Sequence, residues 1–154
     1  MPVSDGMMKS DKGAPADGPY AVEHQIGYLL RRAHQRATAL FQAHIGDPGT
    51  TPTQFTSMVK LGERGELSQN HLGRLVGMDK ATTQGVVRRL RDRDLIAARP
   101  DPDDARRNLL RLTSEGEAML ARLVANGPRV SAETLKPLDA AEQRTLLSLL
   151  SRLI

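Results

Sequence analysis

Cysteine is absent from the 154 residues, which excludes disulfides, thiolate nucleophiles and cysteine zinc sites. The four histidines are scattered without ligand spacing, so no metal site is expected, and the composition fits a reducing cytoplasm. Tryptophan is missing too, and two phenylalanines and two tyrosines are all the aromatic content. A chain so poor in stacking platforms suits duplex rather than single-stranded nucleic acid. No apolar run approaches the roughly 20 residues that a membrane helix requires, and residues 1–19 lack the apolar core of a signal peptide. A soluble, unexported, cytoplasmic protein without a membrane partner is expected. There is no Gly-rich phosphate loop, no histidine pair at metal spacing and no serine in a nucleophile context, so an enzyme is not expected and no cofactor is implied.

What is present is unevenly placed charge. Between positions 74 and 111 ten Lys or Arg face six Asp, a surplus of four that equals the net charge of the whole chain. A basic stretch on a neutral body is the footprint of a phosphate-binding surface, and a solvated arginine-rich helix is the other reading of the same charge.

Residues 1–19, rich in Gly, Pro, Ser, Asp and Lys, read as a disordered arm. From Tyr20 an apolar stripe at helical spacing, Val22, Ile26, Leu30, Ala33, Ala37, Phe41 and Ile45, predicts a long first helix that ends at Gly46-Asp47-Pro48. Thr51 followed by Pro52 signals a second helix, closing at Gly62 or Gly65. Ser68 caps a short third helix broken by Gly77, and Asp79 caps a fourth over 80–93. A short helix and a longer one, separated by Val76-Gly77-Met78-Asp79, match the helix-turn-helix length pattern. An extended run at 95–99, a turn-rich tip at 100–104 and a returning run at 107–112 then predict a wing.

Thr113-Ser114-Glu115-Gly116-Glu117 opens the next helix, which Asn126-Gly127-Pro128 is expected to break, with a further segment over 130–135. Asp139 caps a last helix through Leu146, Leu147, Leu149, Leu150, Leu153 and Ile154. An end this apolar predicts packing across a two-fold axis with a second copy, the alternative being burial against the first helix. The fold class is mainly α with a small β-wing (α+β). A winged helix-turn-helix at 51–113 lies between a dimerisation helix at 20–50 and C-terminal dimerisation helices at 114–154.

A recognition helix reads bases from its first turns. Thr82, Thr83 and Gln84 are the groups suited to base edges, and Lys80 and Arg88 to flanking phosphates, with ordinary capping and surface as the bland reading of the threonines. In the wing, Asp104 and Arg106 stand two apart, on one side of a strand, where the carboxylate can hold the guanidinium for the minor groove. Arg107 then faces the other way, toward phosphate or solvent, and a purely structural salt bridge at the wing base is the alternative.

The run from Leu95 to Gly116, with Asp104-Ala105-Arg106 and the closing Leu112-Thr113-Ser114-Glu115-Gly116, resembles the wing and following helix start of the MarR family. The likeness extends upstream through Thr51-Pro52-Thr53-Gln54-Phe55 and Leu67-Ser68-Gln69. Ala105 departs from it where many relatives carry a second arginine, and Asp94 where glycine is frequent. The resemblance implies a homodimeric repressor on a pseudo-palindromic operator, with Ser68 and Gln69 joining the DNA-contacting set, often released by a small aromatic acid. The stretch Ile26-Gly27-Tyr28-Leu29-Leu30-Arg31-Arg32, with Phe41-Gln42-Ala43-His44-Ile45, is similar to the first helix of repressors of nicotinic acid degradation, which respond to 6-hydroxynicotinate. For a small aromatic carboxylate effector, Arg31 or Arg32 could meet the carboxylate, Tyr28 and His24 could hydrogen-bond, and Phe55 with Met58 could line the ring. Surface arginines and core apolars are the alternative for each of these. At the level of function, the alternative is a winged helix that docks an acidic protein partner without operator preference.

Overall fold

The computed structural model describes residues 19–104 and 106–154. The expected arm over residues 1–18 and the departure at Ala105 lie outside the described residues. The chain divides into two units, residues up to Gln35 and Arg36–Ile154. The first holds a 3-10 turn (Val22–His24) and the opening of helix α1 (Ile26–His44). The first helix therefore starts later than the stripe from Tyr20 suggests.

The second unit carries the end of α1, then α2 (Pro52–Arg64), β1 (Leu67–Ser68), α3 (Gln69–Val76), α4 (Lys80–Asp92), β2 (Ile96–Pro100), β3 (Asn108–Leu112), α5 (Ser114–Leu135) and α6 (Ala140–Leu150). Each helix after α1 begins where a short polar side chain satisfies an orphan backbone N–H. Thr51 and Gln54 form a reciprocal capping box with Pro52 in the first turn. Ser68, Asp79 and Thr113 accept from His71, Thr82 and Gly116 respectively, and Asp139 closes a second box with Glu142. Gly65 ends α2 with φ 78°, and Gly77 ends α3 in the left-handed region.

The strands form one antiparallel sheet in the order β1-β3-β2. Leu67 pairs with Leu110, and Ile96 through Pro100 run against Leu112 back to Asn108. The strand at Leu67–Ser68 is an addition to the sequence reading, which treats these residues only as the approach to α3. Two residues are too few for periodicity to register, and it is pairing with β3 that makes them a strand.

Met58, Leu61, Leu72, Val86, Leu90, Leu95, Ile96 and Leu110 make the main core beneath the helix-turn-helix and sheet. Phe41, Ile45 and Leu123 form a smaller cluster with Phe55, Met119 and Val130 against it. The expected break at Asn126-Gly127-Pro128 does not occur, because α5 runs through Pro128 to Leu135. Proline removes one backbone bond, the one to the Val124 carbonyl, but Leu123 on one side and Val130 on the other are both held by the smaller cluster. Packing on both sides outweighs the local break.

Between α4 and β2 the chain reverses at Asp94, whose φ of 54° lies in the left-handed region. This is where glycine is frequent in the resembling family, and aspartate is among the few other residues that tolerate the conformation. The Thr113 hydroxyl donates to the Asp94 carbonyl at 2.6 Å, tying this bend to the start of α5.

Candidate nucleic-acid interface

Helices α3 and α4 meet at a close approach that requires a small residue. A Cβ on Gly73 would lie 2.6 Å from the Thr83 hydroxyl, so the helix-turn-helix angle is set by glycine opposite threonine. Thr83 is consequently buried, and its hydroxyl donates to the Asp79 carbonyl at 2.7 Å. This corrects the sequence reading. Thr83 faces inward and its hydrogen-bonding capacity is already used, so it is not placed to touch a base edge. Lys80, Thr82, Gln84 and Arg88 are exposed on the opening turns of α4. Asp79, whose carboxylate accepts the Thr82 N–H at 2.7 Å, holds this N-terminus open, and that bond keeps its pKa below the ordinary value.

Gln69, Gln84 and Arg88 line one groove between α3, α4 and the start of β2, together with Arg91, Ala97 and Ala98. The structure thus gathers three residues singled out in the sequence and adds Arg91, which helical spacing from Gln84 and Arg88 could have supplied. Ser68 is half-buried, and its hydroxyl is committed to capping α3 by accepting from the His71 N–H at 3.3 Å.

The wing differs from the expected pairing. Asp104 accepts from the backbone N–H of Arg106 at 3.0 Å, and no carboxylate among the described residues pairs with the Arg106 side chain. The ion pair is instead Arg107 with Asp101, at 2.6 Å. The two-apart rule presumes an extended strand, whereas Asp104 and Arg106 both precede β3 and belong to no strand. Asp101 is buried and also accepts the Asp103 N–H at 2.9 Å. That backbone bond, with Arg107 beside it, holds its carboxyl below the ordinary range. At the wing base Arg99 forms a two-pronged pair with Glu66, at 2.7 and 2.5 Å. With Arg99 and Arg107 tied to carboxylates, Arg106 before β3 and Arg111 on β3 are the exposed wing arginines for which no ion-pair partner stands among the described residues, and Arg106 is the one nearer the tip.

The residues considered for an effector fall in both units. In the first, Tyr28, Arg31 and Arg32 cluster, with guanidinium centres 5.2 and 5.9 Å from the Tyr28 ring centre. Arg32 donates to the Tyr28 hydroxyl at 3.3 Å, and His24 is exposed in the 3-10 turn. In the second unit Phe55 lines a mostly apolar cavity of about 280 Å³ with Phe41, Ile45 and Val130. Met58 does not line it. Its side chain is fully enclosed in the main core, which removes it from contact with any ligand.

A third charged group was not anticipated from the sequence. Arg93, the C-cap of α4, donates to the Thr50 hydroxyl at 3.1 Å and to Asp47 at 2.8 Å. These partners lie 43 and 46 positions away, a separation at which no spacing rule gives a signal.

Comparison with known proteins places these features. The model of the MarR family matches residues 49–107. The HTH-type transcriptional repressor NicR of Pseudomonas putida is 39% identical over 142 residues, covering 92% of this chain and 90% of that protein. A probable transcriptional regulator from Pseudomonas aeruginosa, known as a crystal structure, is 48% identical with a TM-score of 0.82, over 87% of this chain and 100% of that one. BpsR of Bordetella bronchiseptica, whose DNA binding is regulated by 6-hydroxynicotinic acid, is 36% identical with a TM-score of 0.82, over 88% of this chain and 97% of its own.

Proposed function

The chain belongs to the MarR family of transcription regulators, and on that footing we propose that it represses transcription as a homodimer on a pseudo-palindromic duplex operator and is released by a small aromatic carboxylate. One observation carries the DNA reading. The exposed face of α4 presents Lys80, Thr82, Gln84 and Arg88, while the wing leaves Arg106 unpaired beside two tethered arginines. Gln84 has the amide needed for bidentate reading of a base, Lys80 and Arg88 have the charge for phosphates, and Arg106 has the reach and the weak hydration suited to a minor groove.

The homodimer is supported by apolar side chains without cover. Leu147, Leu149 and Leu153 on the last helix and its tail are 54%, 51% and 68% exposed, and Ile26 and Leu29 of the first unit are also exposed. A second copy would remove such side chains from water in each unit. Two protomers would then set their α4 helices about 10 base pairs apart. Selection from a random duplex pool tests this directly. A two-fold symmetric consensus with that spacing is expected, and recovery of no preferred sequence would refute the proposal.

An effector of the aromatic acid class is supported by the likeness to BpsR, whose DNA binding is regulated by 6-hydroxynicotinic acid. The Tyr28, Arg31 and Arg32 cluster has the charge and donors that a carboxylate needs. Separately, the cavity beside Phe41 and Phe55 has walls suited to a ring. Adding 6-hydroxynicotinate should raise the melting temperature and release operator DNA.

A further inference from the structure

The loop from Gly46 to Thr50 is clasped from two sides. On one side Asn126 of α5 donates its amide to the Ile45 carbonyl at 2.9 Å, and it lies so close that a Cβ on Gly46 would be 2.8 Å from that amide nitrogen. On the other side Arg93, at the end of α4, reaches Asp47 and Thr50, and a Cβ on Gly49 would sit 3.2 Å from its guanidinium. Within the loop the buried Thr50 donates its hydroxyl to the same Asp47 oxygen, and Gln42 of α1 donates to the Thr50 carbonyl at 3.1 Å. The loop is therefore a short bridge, hydrogen-bonded at both ends, between α5 and the recognition helix.

The two ends of that bridge are different in kind. Ile45 and Gly127, the neighbour of Asn126, both line the apolar cavity, whereas Arg93 caps the helix that presents Gln84 and Arg88. A molecule that spreads the cavity displaces its walls, Ile45 and Gly127 among them. The Asn126 to Ile45 bond is shared by both walls, so such a displacement is passed to the loop. Arg93 holds the loop through two directed bonds from one planar group, and a rigid fork transmits a shift in its acceptors as a rotation of its own helix end rather than absorbing it.

We propose that Arg93 is a positioning residue that, through the Gly46–Thr50 loop and Asn126, couples the cavity beside Phe41 and Phe55 to the orientation of α4. As a regulatory role this rests on the aromatic-acid reading above, but the mechanical link between Asn126 and α4 does not. Arg93 itself is not a DNA contact in this account: its guanidinium is spent on Asp47 and Thr50.

The test uses the full chain with Arg93→Gln and Asn126→Ala, with 6-hydroxynicotinate as the probe. In the unchanged chain the acid is expected to weaken operator binding about tenfold, and in Arg93→Gln by less than about twofold, while the acid still raises the melting temperature of both. An undiminished, about tenfold weakening of operator binding on adding acid to Arg93→Gln would overturn the proposal. If the acid has no effect on the unchanged chain, it is the effector reading that fails, and hydrogen exchange then decides the link. The amides of Asp94 and Leu95, which close the end of α4 on Arg91 and Leu90, should exchange at least about fivefold faster in Asn126→Ala, with β3 amides unchanged. Unchanged exchange at Asp94 and Leu95 would overturn the proposal whatever the acid does.

Discussion

The carbonyl oxygen of Leu95 faces the Cα of Gly116 so closely that a Cβ on the glycine would lie 1.9 Å from it. The approach is fixed from both ends, since Thr113 donates its N–H to the same carbonyl at 3.1 Å and its hydroxyl accepts the Gly116 N–H at 3.0 Å. The first turn of α5 is thereby locked onto the bend between α4 and β2.

Gly116→Ala is expected to destabilise the protein by about 3 kcal/mol or more, because backbone on both sides must move to admit one methyl. Alanine normally strengthens a helix by about 1 kcal/mol over glycine, so the sign itself is diagnostic. Urea unfolding of the variant measures it, and a stabilised variant would mean that α5 does not sit on Leu95.

Arg106→Ala should weaken operator binding by about 1–3 kcal/mol while leaving the melting temperature unchanged, since the side chain has no ion-pair partner among the described residues to lose. Gln84→Ala is expected to relax base preference. Thr83→Ala acts through stability instead, because the hydroxyl it removes is bonded to Asp79 inside the helix-turn-helix. Anisotropy titrations on matched and altered duplexes, paired with thermal melts, separate the three.

Acid should weaken the fold through Asp101. Its carboxyl is held below the ordinary value of 3.8, first by the Asp103 N–H and then by Arg107. A carboxylate with a lowered folded-state pKa adds stability that is fully present above its unfolded value and is lost as pH falls from there through the lower folded one. Melting temperature is therefore expected to drop below about pH 4. Asp101→Asn should be less stable at neutral pH and show a shallower acid decline. Equal declines would place the acid sensitivity elsewhere.

Pro128→Ala restores the backbone bond that α5 lacks and is expected to stabilise by about 2 kcal/mol, less than the full helix-interior difference because proline also restricts the unfolded chain. Denaturant midpoints check it. Destabilisation would show that packing of Leu123 and Val130 needs the shape proline imposes.

The starts of the helices after α1 were legible because each announces itself locally. Thr51, Ser68, Asp79, Thr113 and Asp139 each cap the helix that the sequence placed after them. The wing was legible as a hairpin, but its ion pair was not. Spacing brings Asp104 and Arg106 together only on an extended strand, while the real pair depends on Asp101 being buried. Thr83 was misread for a related reason. Nothing in a run of two threonines says which one turns inward, and that is decided by Gly73 on the facing helix. Pro128 and Arg93 depend wholly on distant partners, and no local pattern carries that information.

The left-handed bend at Asp94 also limits how the gene can drift. Most side chains would strain there, but glycine and asparagine would not. Both are one base change away from either aspartate codon, so neutral variation at this position has two short exits. A lineage passing through either keeps the same corner between the reading helix and the wing.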